Sequence, residues 1–337
     1  MSNSIEVLKK YNISDKDIEK LKLIGITTIQ SLYMTSRKNL LKIKGFTEKK
    51  ILNIFNEANK VEEYSLFQNG SDFMYQRNKN IKRISTGSKN LDNILKGGLE
   101  TNSLNEIIGE NYTNIIDFIH VLCINIHKNN NKIIYFNLDN NFSKEKILNI
   151  SKGMHVNGKK VLENINLIDD VEIYDDLIDK LNEISESIEI KDYSLIIIDS
   201  LMTIFQKLFI ESFSNKTQFN DIEKKIDIES KLGKIIYILK RISLLNNNAI
   251  IITRNINLDA QNDLIKCDPN IEIILNYECK TRLKFKQIKN NIIKCIILNS
   301  PTIPEFYCKF KINEEGILIY FLLLNLKFNA NFISTIS

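Results

Sequence analysis

A chain of 337 residues with 43% hydrophobic content is long enough for two domains and too apolar for global disorder. Its net charge of +5 permits a polyanionic partner without requiring one. The five cysteines include no C-x-x-C pair and no cluster with histidine, which argues against a zinc site and against a disulfide framework.

Neither end of the chain carries a membrane signal. The N-terminus, MSNSIEVLKKYN, is polar and lacks the apolar run of a signal peptide. The most apolar stretch, 317–328, is shorter than the ~20 residues that a spanning helix needs, and Asn325 and Lys327 interrupt it. We therefore expect no membrane partner and a reducing compartment.

Residues 1–62 are predicted to form a small all-α domain. Two glycine turns, at Gly25 and Gly45, each precede a threonine that caps a helix, and the second helix begins at Lys49. The pattern is typical of a helix-hairpin-helix, in which a glycine turn lets backbone N–H groups face a phosphate. Gly45 and Lys49 are therefore candidate DNA contacts, and an ordinary helical corner fits the same residues equally well.

Residues 63–80 are polar and are predicted to form an irregular linker, and residues 81–337 form a larger α/β domain. Four β-branched runs have the character of buried parallel strands, and a helix with apolar residues at 3–4 spacing precedes the last of them. Alternating strands and helices predict a central, mostly parallel sheet. The runs are Leu104–Ile108, Lys132–Asn137, Leu195–Asp199 and Ala249–Thr253, and the helix carries Leu232, Ile235, Ile236, Leu239 and Ile242.

Beyond residue 270 the pattern changes to strict alternation. Leu283 and Phe285 are predicted to point to one face of a strand, and Arg282, Lys284 and Lys286 to the other. This segment is predicted to extend the sheet in antiparallel fashion with a basic outer face. Arg282 and Lys284 are therefore candidate contacts to DNA phosphates.

A carboxylate ends one of the buried strands. The run Ser194–Asp199 has the form of a Walker B strand, which places an aspartate at the carboxyl edge of a sheet, where it orients Mg²⁺. Many buried strands also end in an aspartate that caps the next turn. Asp199 is therefore a candidate ligand for Mg²⁺ only if a phosphate loop lies beside it.

A degenerate phosphate loop lies earlier in the chain. The run from Gly109 opens as a G-x-x-x-x-G-K-[ST] loop does, with an apolar strand before it and an apolar helix after it. Where that loop requires Gly, Lys and a hydroxyl, this chain has Asn114, Ile115 and Ile116. Isoleucine neither neutralises phosphate nor binds a metal, so these residues alone leave open whether this was ever a nucleotide site. The loop comprises Gly109, Glu110, Asn111, Tyr112, Thr113, Asn114, Ile115 and Ile116.

A wider set of stretches carries a family resemblance. They are LKLIGITTIQSLYMTSRKNLLKIKGFTEKKI, Ile84–Ser88, Leu91–Gly98, Ile108–Glu110, His120–Cys123, Tyr135–Ile147, Ser200–Met202, Ser300–Pro301, Pro304–Glu305, Phe310 and Gly316. With these stretches the chain resembles RecA-type recombinases of the eukaryotic and archaeal RadA-like branch, most closely the meiotic DMC-type strand-exchange proteins. The resemblance implies a helix-hairpin-helix domain before a RecA-like α/β core, and a phosphate loop that descends from a nucleotide site.

The departures from this family fall where its chemistry takes place. Asp139 stands at the position of the catalytic glutamate, one methylene shorter, and Asn255 stands at the polar sensor. The DNA-binding loop that follows is shortened and ends in Pro269–Glu272, and the loop after Walker B is predicted to be long, at 211–222. The resemblance implies ATP and Mg²⁺ as cofactors, with Asp199 on the metal, and the missing lysine argues against their binding.

The resemblance also implies partners. Phe67–Gly70 stands where the family has Phe-x-x-Ala, a linker strand that plugs the neighbouring protomer, with Phe67 as the anchor and Gly70 in place of the alanine. A phenylalanine packed on its own domain is the alternative. The implied partners are single-stranded and double-stranded DNA, further copies in a filament or ring, and a sister recombinase, in the nucleus.

Three hypotheses for function remain open at this point. The first is a strand-exchange protein of meiotic recombination or DNA repair that forms filaments on single-stranded DNA with weak or lost ATPase. The second is an active DNA-dependent ATPase with an atypical phosphate loop, which uses Asp199 for the metal and Asp139 to orient water. The third is a non-catalytic adaptor that binds another recombinase through Phe67. Salt-dependent binding of DNA and turnover of ATP separate them.

Overall fold

The computed structural model describes residues 4–61, 69–110, 115–128, 131–214, 221–256, 269–288, 291–301, 303–313 and 315–319. A group of short helices at the N-terminal end precedes one large sheet that has helices on both faces. Within these ranges, none of the helices combines the length and the apolar character that crossing a membrane requires.

Residues 4–61 fold around an apolar core of their own. The elements are a 3-10 helix at Ile5–Tyr11, then α1 at Asp15–Leu23, α2 at Ile29–Met34, α3 at Arg37–Leu41 and α4 at Glu48–Val61. Hydroxyl side chains cap their starts: Thr28 Oγ1 accepts from the N–H of Ser31 at 3.1 Å, and Thr47 Oγ1 from the N–H of Lys50 at 3.3 Å. These caps and helices agree with the threonine signals in the sequence.

A helix, α5 at Gly70–Asn80, occupies most of the segment predicted as an irregular linker. The prediction is therefore wrong for residues 70–80, and Phe67 lies outside the described residues. The three apolar residues of α5, at 73–75, are adjacent in sequence and form no stripe at 3–4 spacing. The helix consequently carries no periodic signal, and Met74 and Tyr75 are exposed.

Strands and helices alternate through the rest of the described chain. The strands are β1 (Arg83–Ile84), β2 (Leu99–Glu100), β3 (Ser103–Glu110), β4 (Lys132–Asn137), β5 (Ile165–Ile168), β6 (Tyr193–Asp199), β7 (Ala249–Ile256), β8 (Thr281–Ile288), β9 (Ile292–Asn299), β10 (Tyr307–Asn313) and β11 (Gly316–Ile319). The helices are α6 (Lys89–Ile94), α7 (Ile115–His127), α8 (Lys144–Gly153), α9 (Gly158–Glu163), α10 (Tyr174–Glu186), a 3-10 helix (Ile188–Asp192), α11 (Leu201–Ser214), α12 (Asp221–Asn246) and α13 (Pro269–Glu278).

The sheet has nine strands among the described residues, in the order β11-β10-β9-β8-β3-β7-β6-β4-β5. The four runs predicted as parallel strands are the neighbours β3, β7, β6 and β4, and all of their pairings are parallel. Strand β8 pairs parallel with β3 and antiparallel with β9, so the antiparallel extension begins one strand later than its alternation indicates. The prediction of a RecA-like α/β core with a mostly parallel sheet is confirmed.

Apolar side chains cover both faces of the parallel strands. Helices α6 to α9 pack on one face and α10 to α13 on the other, which is why most side chains of these strands are apolar on both faces instead of alternating. The predicted sheet-facing residues of α12 are all buried. The long loop predicted after Walker B is wrong for residues 211–214 and 221–222, which belong to α11 and α12, and residues 215–220 lie outside the described residues.

Candidate functional site

The carboxyl edge of the parallel strands brings the predicted site residues together. Gly109, near the end of β3, lies opposite Asn255 of β7. Asp199, the last residue of β6, lies opposite Asn137 of β4, which Asp139 follows by two residues. Open α/β sheets bind their ligands at this edge, so Gly109, Asp139 and Asp199 lie at the edge of the sheet where a ligand site is expected.

The start of the phosphate loop is closed by an apolar side chain. A β-carbon on Gly109 would lie 2.6 Å from Cδ1 of Ile115 and 2.8 Å from Oδ1 of Asn255. Ile115, the first residue of α7, is buried and belongs to the main core. Ile115 stands where a phosphate loop carries its lysine, and its side chain lies against Gly109. Residues 111–114 lie outside the described residues.

Asp199 is fully buried and both of its carboxylate oxygens accept hydrogen bonds. The Tyr135 hydroxyl donates to Oδ2 at 2.8 Å, and Thr253 Oγ1 donates to Oδ1 at 2.5 Å. Burial raises the pKa of Asp199 above its usual value, and the two hydrogen bonds offset only part of that rise. Tyr135 and Thr253 are not among the predicted site residues, and their signal in the sequence is a polar group within a mostly apolar strand.

Asp139 is held in place by its neighbours from α11 and its own loop. Thr203 Oγ1 donates to its Oδ1 at 2.7 Å, and Asn141 Nδ2 donates to its Oδ2 at 3.1 Å. Its backbone N–H donates to the carbonyl of Asp199 at 3.2 Å, which links the ends of β4 and β6. Asp139 is half-buried, and its negative charge contributes to the raised pKa of Asp199.

The described residues do not fit a magnesium-bound nucleotide. Phosphate binding in this type of loop requires a cation and a metal-binding hydroxyl, and the two positions hold Ile115 and Ile116. The Walker B carboxylate has no exposed surface and is already hydrogen-bonded at both oxygens. At these two positions the groups that neutralise phosphate and bind the metal are therefore missing.

Arg282 belongs to a closed ring of two arginines and two glutamates. Its Nε lies 2.6 Å from Glu106 Oε2, and its Nη2 lies 2.5 Å from Glu272 Oε1. Arg254 bridges the same two carboxylates, with Nε 2.8 Å from Glu106 Oε1 and Nη2 2.6 Å from Glu272 Oε2. The prediction that Arg282 lies on a basic outer face is wrong, because its side chain is 3% exposed and is paired with the buried Glu106 and the partly exposed Glu272.

Comparison with known proteins identifies the family. The profile of the Rad51 family matches residues 76–319, from α5 to the end of β11. The chain belongs to the Rad51 family. It is 28% identical over 330 residues to the mouse meiotic recombination protein DMC1/LIM15 homolog. This alignment covers 93% of the present chain and 92% of the mouse protein. It is also 28% identical over 324 residues to the rice meiotic recombination protein DMC1 homolog B, in an alignment that covers 94% of the present chain and 90% of the rice protein.

Membership of the Rad51 family confirms the resemblance drawn from the motifs. The family match includes the degenerate loop, both aspartates and the ring, so these departures lie within a recognisable Rad51-type core. The N-terminal helices precede the matched region, and the alignments with the relatives cover 92% and 90% of those proteins.

The antiparallel strands of this Rad51 family member carry a lysine face opposite the core. The buried side chains of β8 to β10, such as Phe285, alternate with lysines that point to the other side. Lys286 lies opposite Lys294, and Lys294 lies opposite Lys309. Lys284 and Lys286 each lie 3.5 Å from Oε2 of Glu110, at the end of β3. The lysine face comprises Lys284, Lys286, Lys294, Lys309 and Lys311, and the aromatic residues Phe306 and Tyr307 are exposed beside it.

The two glycine turns of the N-terminal helices differ in their surroundings. Gly25 has a φ of 82°, and a β-carbon there would lie 2.5 Å from the carbonyl oxygen of Glu186, at the end of α10. Gly45 has a φ of 89°, and the nearest atom to its β-carbon would be Nζ of Lys20 at 3.3 Å. The first turn packs against the core, and the second turn is exposed together with Lys49.

Proposed function

We propose that the protein acts in homologous recombination, as a strand-exchange protein that binds single-stranded DNA, self-associates, and hydrolyses ATP weakly or not at all. The observation that carries this proposal is Ile115, buried over Gly109 at the position of the phosphate-binding lysine within a Rad51-type core. Because the substrate is chromosomal DNA, in meiotic recombination or repair, we place the action in the nucleus.

Loss of ATPase activity follows from the chemistry of phosphoryl transfer. That reaction depends on positioning and on neutralising negative charge, so the absence of the cation and the metal hydroxyl removes transition-state stabilisation. Asp139 occupies the place from which a carboxylate orients water, and hydrogen bonds from Thr203 and Asn141 hold it. The Asp139 side chain is therefore positioned to act as a general base, but position 115 supplies no cation to neutralise the phosphate.

Binding of DNA is supported by two surfaces. The lysine face has neighbouring lysines on adjacent strands, and strands in a sheet lie about 4.8 Å apart, so one polyanionic backbone contacts several of them at once. Lys294 lies over the Tyr307 ring at 4.3 Å, and that ring stacks beside Phe306, which adds an aromatic platform for bases. The exposed turn at Gly45, with Lys49, is the second surface, and it is the candidate helix-hairpin-helix contact for double-stranded DNA.

Self-association rests on the linker. Phe67 lies outside the described residues, and Gly70, the first residue of α5, is exposed with no atom within 4 Å of a β-carbon built on it. An aromatic anchor at Phe67 would insert into a further copy of the chain or into a sister recombinase. We take 63–68, rather than the whole of 63–80, as the segment that joins the N-terminal domain to the core and holds this anchor.

Calorimetry with Mg²⁺ and ATP, with and without single-stranded DNA, tests the loss of nucleotide chemistry. We expect no saturable heat, and a parallel assay should detect little or no phosphate release under either condition. Brisk turnover on DNA that Asp199→Ala abolishes would show that the protein is an active ATPase with an atypical loop.

Fluorescence anisotropy with single-stranded DNA at increasing salt tests the DNA-binding part. Each lysine that contacts a phosphate contributes about 0.7 to the slope of log K against log salt, so Lys309→Gln should reduce the slope by about that amount. The control is Lys159→Gln, which alters an exposed lysine of α9 and should leave the slope unchanged. Absence of DNA binding, together with capture of a recombinase that requires Phe67, would instead identify an adaptor.

A further inference from the structure

Two cysteines face each other across neighbouring antiparallel strands. Cys295 of β9 lies directly opposite Cys308 of β10. Both side chains belong to the main core, where Cys295 is fully buried and Cys308 is 9% exposed. The two cysteines are 13 residues apart in the chain, a spacing that matches no cysteine motif.

The ladder geometry places the two thiols within reach of a covalent bond. The N–H of Ile297 donates to the carbonyl of Phe306 at 2.9 Å, which makes that opposed pair a hydrogen-bonded one. Pair types alternate along antiparallel strands, so Cys295 and Cys308, two residues further on, form a hydrogen-bonded pair as well. Cα atoms in such pairs are about 5.5 Å apart, at the usual separation for a disulfide.

Their environment makes the two thiols unequal. The thiols share a hydrogen bond, which lowers the pKa of Cys308 below the ordinary cysteine value. Burial, and then the same hydrogen bond, raise the pKa of Cys295. Cys308 is also the more exposed of the two, on the strand next to the edge of the sheet. One thiol is therefore suited to react first and the other to resolve the product.

We propose that Cys295 and Cys308 form an oxidisable dithiol that closes to a reversible cross-strand disulfide when the protein meets a peroxide. The Cys308 thiolate attacks a peroxide oxygen, the O–O bond breaks, and Cys308 becomes a sulfenic acid while hydroxide takes up a proton and leaves as water. The Cys295 thiol then attacks that sulfur, the S–O bond breaks, and a second water forms with the proton of Cys295. Two thiols are oxidised and one peroxide is reduced to two waters.

The disulfide is expected to be reversible and to act on the core. The Cβ atoms of a hydrogen-bonded pair are about 5.5 Å apart, beyond the roughly 3.5–4.5 Å that a disulfide prefers, so β9 and β10 have to move together when it forms. A bond under such strain is readily reduced. Phe285 lies opposite both Cys295 and Gly109, so the movement occurs in the same transverse row of the sheet as the loop glycine.

Thiol titration and peptide mapping of the full chain test this proposal, which does not depend on the DNA or ATP properties. After treatment with hydrogen peroxide and denaturation, we expect the five thiols of the sequence to fall by two. The intact mass should be lower by about 2 Da, with a linked peptide pair containing Cys295 and Cys308, and dithiothreitol should restore both.

Variants and controls sharpen the test. Cys295→Ala and Cys308→Ala should each abolish the linked pair, whereas Cys279→Ala, at a buried cysteine elsewhere, and Cys267→Ser should preserve it. If the alanine variants do not fold, mapping of the unaltered protein still decides the question. Retention of both thiols, oxidation of Cys308 to a sulfinic acid with Cys295 reduced, or pairing of either residue with Cys267 would each overturn the proposal.

Discussion

The side chain of Ile115 lies directly against Gly109, so that a β-carbon on Gly109 would come within 2.6 Å of the Ile115 Cδ1 atom. In a working phosphate loop the first glycine allows a tight turn, and the lysine reaches past it to the phosphate. Here the glycine makes room for a core side chain. The same residue type is therefore required for packing, whether or not any nucleotide binds.

A double-mutant cycle tests this packing relationship. Gly109→Ala alone should reduce the free energy of unfolding by about 1–3 kcal/mol, because the new methyl collides with a buried side chain. Ile115→Ala alone should cost about 2–5 kcal/mol through the cavity that it leaves. The double variant should cost less than the sum, since the alanine methyl then enters vacated space. Additive effects in chemical denaturation would contradict the contact.

The ring of Arg254, Arg282, Glu106 and Glu272 gives a second prediction. Glu106→Gln should reduce the free energy of unfolding by about 3–5 kcal/mol, because it leaves two buried guanidinium groups with only the partly exposed carboxylate of Glu272 as a counter-charge. Glu272→Gln should cost less, since this side chain is 44% exposed and water reaches it. Urea denaturation of the two variants measures the difference, and equal costs would show that burial does not govern the ring.

His120 of α7 predicts a dependence of stability on pH. Burial lowers the pKa of His120 to about 4 from an ordinary value of 6.5, with a smaller contribution from Lys146. The unfolded chain therefore binds a proton that the folded chain excludes, so this contribution is complete above about pH 6.5 and is lost as the pH falls toward 4. The free energy of unfolding should fall by about 3 kcal/mol at most over this pH range.

Comparison with a variant isolates this effect. In His120→Leu, the slope of unfolding free energy against pH between about 6.5 and 4 should be smaller than in the parent protein. His155→Asn, at an exposed histidine, should retain the parent slope. Guanidinium denaturation at several pH values gives the slopes, and identical profiles for His120→Leu and the parent would refute the assignment.

The asymmetry of the two glycine turns gives a fourth prediction. Gly25→Ala and Gly45→Ala both place a β-carbon at positive φ, which costs about 1–2 kcal/mol in each case. Gly25→Ala also collides with the Glu186 carbonyl, so it should cost at least about 1 kcal/mol more. It should also disturb the neighbouring hydrogen bond from Lys191 Nζ to Thr27 Oγ1, which measures 2.5 Å. Thermal unfolding of both variants provides the comparison, and equal destabilisation would contradict packing of the first turn on the core.

The sequence predicted the parallel strands and the sheet-facing residues of α12 because both depend on local pattern. Short runs rich in β-branched residues have few structural solutions other than a strand covered on both faces, and 3–4 spacing specifies a helix with one buried side. The edge that gathers Gly109, Asp199 and Asn255 followed from the same strands, since parallel strands end together. Helix α5 was missed because its apolar residues are consecutive.

The side-chain contacts at the site were beyond local pattern. Alternation placed Arg282 and Lys284 on the same face of β8 correctly, but it did not show that Arg282 is buried and hydrogen-bonded to α13 while Lys284 is half-exposed. The partners of Arg282 lie on β3 and α13, 176 and 10 residues away in the chain. Such pairs depend on which strands become neighbours, and no spacing rule supplies that information.

The ring of charges also restricts how this chain can evolve. Each residue of the ring contacts two residues of opposite charge, so replacing any one of them leaves a buried charge without one of its partners. If Arg254 is replaced during evolution, Glu106 or Glu272 has to change as well, or the folded protein loses stability. These four positions are therefore expected to change together, whereas Ile115, at the lysine position of the phosphate loop, carries no charge that a partner has to balance.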